Sequence, residues 1–401
     1  MEQQPFSRRQ PPAEPAAERP WSEGPIYLDY NATTPVDPAV LTAMEPYFTR
    51  HFGNPSSTHG YGRAAREAVE KARGQVAALL GCAPEEVVFT GGGSESDNLA
   101  IQGVAFAHRD RGRHIITTAV EHPAVLQTCR YLAERHGFEV TCLPVDATGR
   151  VDPDDVARAI RKDTILITVM TANNETGTLQ PIREIGAVAR RHGVLFHTDA
   201  AQAVGKIPLN VEDLQVDLLT VAGHKLYAPK GIGALYVRRG VVLEPLIHGA
   251  GHEGGRRAGT ENVPYIVGLG AACALAGEKL GEEADRLRRL RDRLHAALRD
   301  RVEGLRLNGH PEERLPNTLN VSFPGVAGYD LLAAVPAVAA STGSACHAGV
   351  PAPSPVLKAM GLPDEVALGA VRLSLGRWTT EEEVDRAAAL LAEAALRLSR
   401  R

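Results

Sequence analysis

The sequence lacks several features that would assign it to other classes of protein. Its 401 residues carry a formal net charge of only -4, so neither nucleic acid nor an anionic membrane is expected as the main partner. The longest uncharged apolar run, Tyr265 to Gly277, is too short to cross a bilayer and predicts a buried helix. Residues 1–24 have no apolar segment typical of a signal peptide. Their Pro, Glu, Gln and Arg content predicts a disordered tail.

Cysteine is also scarce and unclustered. The five cysteines are odd in number and form no CxxC pair, which argues against a disulfide framework or a zinc site and for a reducing cytoplasm. Four lie in or beside apolar or helical segments, where structural roles are expected: Cys82, Cys129, Cys142 and Cys273. Cys346 instead lies among small residues, Gly and Pro, which predicts a reachable thiol, and His347 would favour its thiolate.

Only seven of the 44 basic residues are lysine, which shortens the list of amines that could form an imine. Lys225 follows the apolar run Leu218 to Val221 in the turn Gly223-His224-Lys225, so it is expected at a strand end facing a cleft. Burying an ammonium is costly unless it is neutralised, paired or covalently used, and an imine meets that condition. The alternative is a surface lysine beside a loop.

Asp199 supports the imine interpretation. It follows another apolar run, Val194 to Thr198, where a carboxylate could lie beneath a bound ring. A pyridinium nitrogen needs such a carboxylate to stay protonated and serve as an electron sink. Lys225 and Asp199 together predict pyridoxal phosphate as the cofactor.

The order of the patterns predicts the fold class. Apolar runs and helical periodicity alternate through residues 38–280, which indicates an α/β domain with a mostly parallel sheet covered by helices. After Leu280 come a long charged helix, a strand and a final helix from Thr380 to Arg400. Residues 25–37 and 281–401 are therefore expected to form a smaller α+β domain, which carries the Cys346 loop at about 340–356.

Further polar residues follow predicted strands. Gly93 and Ser94 lie in TGGGSES between a strand and a helix, where backbone N–H groups could close on a phosphate, although an ordinary turn would look similar. His122 follows Ile115 to Thr117 and points at the ligand crevice of an open α/β sheet, where it could stack on a cofactor or shuttle protons. The alternative is a hydrogen-bonded loop histidine.

Two more residues fit a substrate carboxylate. Asn174 lies in TANNETG after the run Ile165 to Met170, where it either makes the turn or donates to a substrate carboxylate or to the cofactor's phenolic oxygen. Arg372 is flanked by apolar residues in AVRLSLGR. A half-buried arginine usually has a carboxylate partner, either internal or from a substrate.

The motifs together resemble the class V aminotransferase-related cysteine desulfurases, most closely the group I branch that serves iron-sulfur clusters and nitrogenase. The resemblance covers nearly the whole chain after residue 24. It rests on these ordered motifs: DYNATTP (29–35), FGNPSS (52–57), ESDNLA (95–100), EH (121–122), ANNETG (172–177), HTDAAQAVGK (197–206), GHK (223–225), GTEN (259–262), PNTLNVSF (316–323), STGSAC (341–346) and RLSLGR (372–377).

The resemblance implies a homodimer of pyridoxal phosphate fold type I that converts L-cysteine to L-alanine. The sulfur would pass as a persulfide on Cys346 to an acceptor protein, either a cluster scaffold or a sulfur carrier such as one for tRNA thiolation. Matching the family motifs residue by residue implies that Lys225 forms the imine, Asp199 pairs with the ring nitrogen, His122 stacks on the ring and Gln202 contacts the phenolic oxygen. The cofactor phosphate would be held by Gly93, Ser94, His224 and, from the other subunit, Thr260. The substrate carboxylate would be held by Asn174 and Arg372.

Two departures from the family pattern keep alternatives open. The family often has a hydroxyl residue before Gly223, but this chain has Ala222, which removes one expected phosphate contact. His347 and the PSPVL segment also resemble selenocysteine lyases of the same family, which release selenium by largely the same chemistry. A third possibility is a pyridoxal phosphate enzyme without desulfurase activity, or a cofactor-binding scaffold whose thiol is idle.

Overall fold

A computed structural model describes residues 21, 24–342 and 352–400, so the predicted tail lies almost entirely outside the described residues. The strands are β1 (Ile26–Tyr27), β2 (Val87–Thr90), β3 (His114–Thr118), β4 (Glu139–Leu143), β5 (Thr164–Thr168), β6 (Leu195–Asp199), β7 (Leu218–Ala222), β8 (Gly233–Val237), β9 (Arg306–Leu307), β10 (Thr318–Ser322), β11 (Val338–Ala339) and β12 (Ala370–Ser374). The helices are α1 (Pro38–Met44), α2 (Pro46–Thr49), α3 (Gly60–Leu80), α4 (Gly93–His108), α5 (Pro123–His136), α6 (Pro153–Ala159), α7 (Ile182–His192), α8 (Val211–Leu214), α9 (Val263–Arg299), α10 (Gly328–Ala333), α11 (Pro355–Ala359), α12 (Asp364–Leu368) and α13 (Glu381–Leu398).

The central sheet has seven strands in the order β2-β8-β7-β6-β5-β3-β4. From β7 to β4 all neighbouring pairs are parallel, and only β8 runs against both of its neighbours. Every residue of β3, β5 and β7 is buried, because helices cover both faces of the sheet, as parallel sheets require. Helices α4 and α5 pack on one face, and α3, α7 and α9 on the other. The predicted α/β class is confirmed.

Helix α9 links two hydrophobic cores. Its first half buries apolar side chains such as Ile266 and Leu269 in the main core, and its second half buries Leu290 and Leu294 in a second core. By length and composition alone this helix could cross a membrane, but its apolar residues are the ones that fill these cores. The buried helix predicted for residues 265–277 is confirmed. The predicted domain boundary after residue 280 falls inside α9, and the domain division stays a prediction.

The second core is built from both ends of the described chain. Strands β12, β10 and β9 form an antiparallel sheet, and helix α13 packs on it with Val384, Ala387 and Leu391 fully buried. Strand β1 pairs in parallel with β11, and Leu28 belongs to the same core. The N-terminal strand therefore packs with the C-terminal residues, which brings residues 29–34 to the edge of the large sheet.

Candidate active site

A cleft of about 600 Å³ opens where the parallel strands β3, β5, β6 and β7 end. The carboxyl ends of parallel strands lie on the same edge of a sheet, so residues distant in the sequence meet there. Nine of the predicted site residues line this cleft: Gly93, Ser94, His122, Asn174, Asp199, Gln202, His224, Lys225 and Arg372.

Lys225 lies just after the C-terminal end of strand β7, in a single turn of 3-10 helix, Gly223–Lys225. Its ammonium donates to two backbone carbonyls, that of Asn31 at 2.6 Å and that of Ala32 at 2.7 Å. Burial and the neighbouring Arg372 guanidinium lower the pKa of Lys225 to about 8. A substantial fraction of the amine is therefore neutral near physiological pH, which is the form that can act as nucleophile or base.

Two carboxyl groups lie at the floor of the cleft. Asp199 ends β6 and accepts a hydrogen bond from the Ala201 N–H at 2.9 Å, while Oδ1 of Asp97 on α4 is buried without a hydrogen-bond partner among the described residues. Burial raises the pKa of both, and the Asp199 charge raises that of Asp97 further. With His122, their ligand atoms lie within 4.8 Å of one another. The floor thus suits a cationic group, either a metal ion or a protonated ring nitrogen.

His122 caps helix α5 and is fixed in one tautomer. Its Nδ1 accepts the Ala124 N–H at 3.1 Å, so the neutral ring carries its proton on Nε2. Burial lowers the pKa of His122, which favours this neutral form. Nδ1 makes the backbone hydrogen bond that the loop-histidine alternative predicts, but the imidazole ring also lines the cleft.

The glycine-rich turn presents the N-terminus of α4 to the cleft. Gly92 has φ 146°, a conformation that favours glycine, and no side chain caps the helix there. The first N–H groups of α4 are therefore open to an anion, and the helix dipole favours one. A Cβ on Gly93 would lie 3.1 Å from the Ala222 Cβ, so these two small residues let the turn approach β7 closely.

Arg372 is buried and lines the same cleft as this turn. Its guanidinium donates to the Asn174 carbonyl at 3.0 Å and to Asp29 Oδ1 at 2.7 Å, and its Nε has no partner among the described residues. The predicted internal carboxylate partner is therefore Asp29. Since Arg372 and Asn174 also line the cleft, they offer cationic and polar groups to a second carboxylate.

Sequence reasoning missed Asn31, which lines the cleft, and Lys206, which lies behind it. Asn31 is fully buried, and its carbonyl accepts hydrogen bonds from both Lys225 and Gln202. The Lys206 amine contacts the side-chain oxygens of Gln202 and Asn31. Because lysine is scarce, Lys206 could have been singled out as a candidate site residue. Its contact with Asn31, however, joins residues 175 positions apart, and no local pattern predicts such a contact.

Two predicted residues are not brought to the cleft within the described chain. Cys346, with His347, lies outside the described residues. The chain leaves the described part beside Arg372, whose backbone pairs with Ser341, and resumes at residue 352, close to Ser354, which donates to Glu175 Oε2 at 2.5 Å. Thr260 does not line this cleft. Its side chain is exposed, and a contact to another subunit would require that exposure.

The remaining cysteines correct one expectation. Cys129 and Cys273 are buried, as predicted, and Cys82 is half-buried, but Cys142 is exposed. The expectation of a structural role for Cys142 was wrong, because most side chains of the edge strand β4, including Cys142, are only partly covered or exposed. The four described cysteines are free thiols.

The chain is similar to known proteins in both sequence and fold. The family model described as "Aminotransferase class-V" matches residues 26–387. A protein named "Cysteine desulfurase IscS" from Methanosarcina thermophila is 52% identical over 363 residues, covering 90% of this chain and 89% of that protein. A solved "NIFS-LIKE PROTEIN" is 40% identical with a TM-score of 0.87, covering 94% of this chain and all of that one. A structure titled "SspA in complex with cysteine" is 41% identical with a TM-score of 0.79, covering 88% and 99%.

Proposed function

Because the chain belongs to the aminotransferase class V family, we propose that it is a pyridoxal phosphate-dependent cysteine desulfurase that converts L-cysteine to L-alanine. The observation that carries the proposal is the Lys225 amine in a cleft with the Asp199 carboxylate and the open glycine turn. The 52% identical relative named "Cysteine desulfurase IscS" favours desulfurase activity over the selenocysteine lyase alternative.

The residues of the cleft fit pyridoxal phosphate. Lys225 offers an amine with a lowered pKa, and the α4 N-terminus offers open N–H groups to the phosphate. The Asp199 carboxyl group in the cleft, with the unpartnered Asp97 Oδ1 beside it, offers an acceptor to a protonated ring nitrogen. A metal ion would satisfy the carboxyl groups but would leave the lysine and the glycine turn without a role. The organic cofactor uses all three features, which is why it is preferred.

Pyridoxal phosphate bound through Lys225 would supply an electron sink for the carbanion that forms when the Cα proton of an amino acid is removed. Asp199 would hold the proton on the ring nitrogen, and His122 would pack against the ring. Arg372 and Asn174 would hold the substrate carboxylate, as a guanidinium beside a polar group does. Lys225, once its amine is free, would take the Cα proton, since its lowered pKa leaves a fraction of it neutral.

Cys346 would collect the sulfur. Its thiolate attacks the substrate sulfur, so an S–S bond forms as the substrate C–S bond breaks, and the bonding electrons stay with the carbon fragment that becomes alanine. The persulfide on Cys346 then passes its sulfur to an acceptor protein, either a cluster scaffold or a sulfur carrier. The described residues on either side of the Cys346 segment support this role. Ser341 pairs with Arg372, which lines the cleft, and Ser354 donates to Glu175, the neighbour of the cleft residue Asn174.

We further propose a homodimer in a reducing cytoplasm. Thr260 is exposed on this chain, where it could reach the phosphate of a second subunit, and the aromatic side chains Phe48, Phe52 and Tyr61 are also exposed. A mixed dimer tests the shared site. Lys225→Ala and Thr260→Ala proteins, each impaired alone, should regain activity when mixed and reassembled, because one of the two sites then has both native residues. No recovery in a confirmed mixed dimer would contradict the proposal that Thr260 serves its partner.

The function is tested with purified protein supplied with pyridoxal phosphate. With a thiol reductant present to release the persulfide sulfur, we expect alanine and sulfide from L-cysteine. We also expect a visible absorption band that borohydride bleaches as it fixes the cofactor to Lys225. Cys346→Ala should abolish both products, whereas Cys142→Ala, which removes an exposed thiol on strand β4, should leave them unchanged. Activity on selenocysteine alone would favour the lyase alternative, and a colourless protein in which borohydride fixes nothing would refute the proposal.

A further inference from the structure

Beneath the cleft, a second lysine contacts the residues that hold Lys225. The Lys206 amine lies 2.8 Å from Gln202 Oε1 and 3.4 Å from Asn31 Oδ1. Lys206 does not line the cleft, and instead borders a small cavity of about 20 Å³ behind Lys225. It is therefore placed to act on the site through its neighbours without touching a bound molecule.

Both contacts of Lys206 are with acceptor oxygens. The Lys206 amine donates to Gln202 Oε1, so the amide oxygen of Gln202 is the atom that faces it. The amide nitrogen is then turned toward the Asn31 carbonyl, to which it donates at 3.0 Å. That nitrogen keeps a second hydrogen, and since Gln202 lines the cleft, this hydrogen is available to an acceptor bound there.

Asn31 is fixed in the same way. Its Oδ1 accepts from Lys206 and from the Asn317 amide at 3.0 Å, which turns its own amide nitrogen to the Thr318 hydroxyl at 2.8 Å and the Asn174 carbonyl at 3.3 Å. Exchanging oxygen and nitrogen in either amide would set donors against the Lys206 donors. Lys206 thus donates to the oxygens of two buried amides, while the Asn31 and Asn174 carbonyls accept from their nitrogens.

We propose that Lys206 is a positioning residue that fixes the Gln202 and Asn31 amides so that Gln202 presents a hydrogen-bond donor to the phenolic oxygen of the bound cofactor. This inference rests on the proposed function for the identity of that acceptor. Burying an amine here is costly, since burial, Lys225 and Arg372 all lower the pKa of Lys206 well below its usual value. A methionine would fill the space without that cost, so the polar contacts are the reason for a lysine.

The test measures cofactor binding to the full chain after the cofactor has been removed. Lys206→Met should raise the dissociation constant for pyridoxal phosphate by up to about tenfold, the effect of losing one hydrogen bond from Gln202. Lys206→Gln, which keeps a polar group there if the methionine variant does not fold, should also weaken binding, because its amide can face Gln202 with either atom. Lys162→Met, a change at an exposed lysine, should leave binding unchanged.

A double-mutant cycle separates positioning from a general structural effect. If Lys206 acts through Gln202, then Lys206→Met should weaken binding no further in a Gln202→Met background. The pH midpoint of the visible absorption band is the second measurement. It should rise in both single variants through loss of a donor to the phenolic oxygen, while Asp199, Arg372 and Asp29 continue to face Lys225.

The outcomes are distinct. Additive losses in the cycle, or an unchanged dissociation constant and pH midpoint in both Lys206 variants, would overturn the positioning role while leaving the proposed function intact. Failure of the unsubstituted chain to bind pyridoxal phosphate would overturn the proposed function and, with it, this inference.

Discussion

Glu121 offers the sharpest test of the buried charges around the cleft. It precedes His122 and is buried, with its carboxylate accepting from the Met170 N–H at 2.9 Å and the Thr118 hydroxyl at 2.7 Å. Burial raises the pKa of Glu121 from 4.5 to about 8, with a further rise from Asp199. The folded protein therefore keeps a proton that the unfolded chain releases at a lower pH.

The sign and size of the effect follow from this difference. Below pH 4.5 Glu121 is protonated in both the folded and the unfolded state, so it causes no change in the free energy of unfolding with pH. Between pH 4.5 and about 8, the free energy of unfolding falls as pH rises, because the folded state binds more protons than the unfolded state. Each tenfold difference in proton affinity is worth about 1.4 kcal/mol, so the loss above pH 8 is at most about 5 kcal/mol.

Glu121→Gln removes this dependence, since its amide stays neutral and its oxygen can still accept from Met170. We expect equal stability of parent and variant at pH 4.5 and a variant more stable by roughly 2 to 5 kcal/mol at pH 8.5. Urea unfolding at several pH values, with equal cofactor occupancy, measures the difference. Glu134→Gln, at an exposed glutamate, is the matched control. A constant difference at all pH values would refute the reasoning, because a pH-independent effect cannot come from this proton.

Three further predictions concern other charged side chains. Arg377 donates to Asp37 and Glu283, whose side chains are mostly buried, so Arg377→Met should lower the free energy of unfolding by about 3 to 5 kcal/mol in urea titrations, because two carboxylates lose their partner. Asp199→Asn keeps the contact to the Ala201 N–H but removes the charge, and should lower kcat about 100-fold or more while cofactor absorption remains. Arg372→Met should lower kcat/KM for cysteine by roughly 10- to 100-fold, mainly through KM, in steady-state assays.

Each of these has a clear contrary result. A stability unchanged within about 0.5 kcal/mol, the usual effect of a surface change, would mean that Arg377 does not neutralise its two carboxylates. Unchanged turnover in Asp199→Asn would remove the ring nitrogen from its proposed partner. An Arg372→Met protein with a normal KM would show that the substrate carboxylate binds elsewhere.

Much of the site could be predicted because its signals are local. His122, Asn174, Asp199 and Lys225 each follow an apolar run closely, and parallel strands bring their carboxyl ends to one edge. The apolar runs themselves are continuous because the strands are buried on both faces. Pairing between non-neighbouring segments leaves no such signal. Cys142 was expected to be packed, but the pattern around it does not show that β4 lies at the edge of the sheet.

By itself, the sequence determined the α/β class, the lysine and aspartate of the cleft, and the resemblance that the comparisons confirmed, because periodicity and motif spacing are written along the chain. Only the tertiary structure decided the surroundings of those residues. It joined the apolar run and the charged stretch into one helix across two cores, and it brought Asn31 and Lys206 beneath Lys225. Those contacts join residues 175 or more positions apart, so they depend on how the two ends of the chain pack together and not on any local preference.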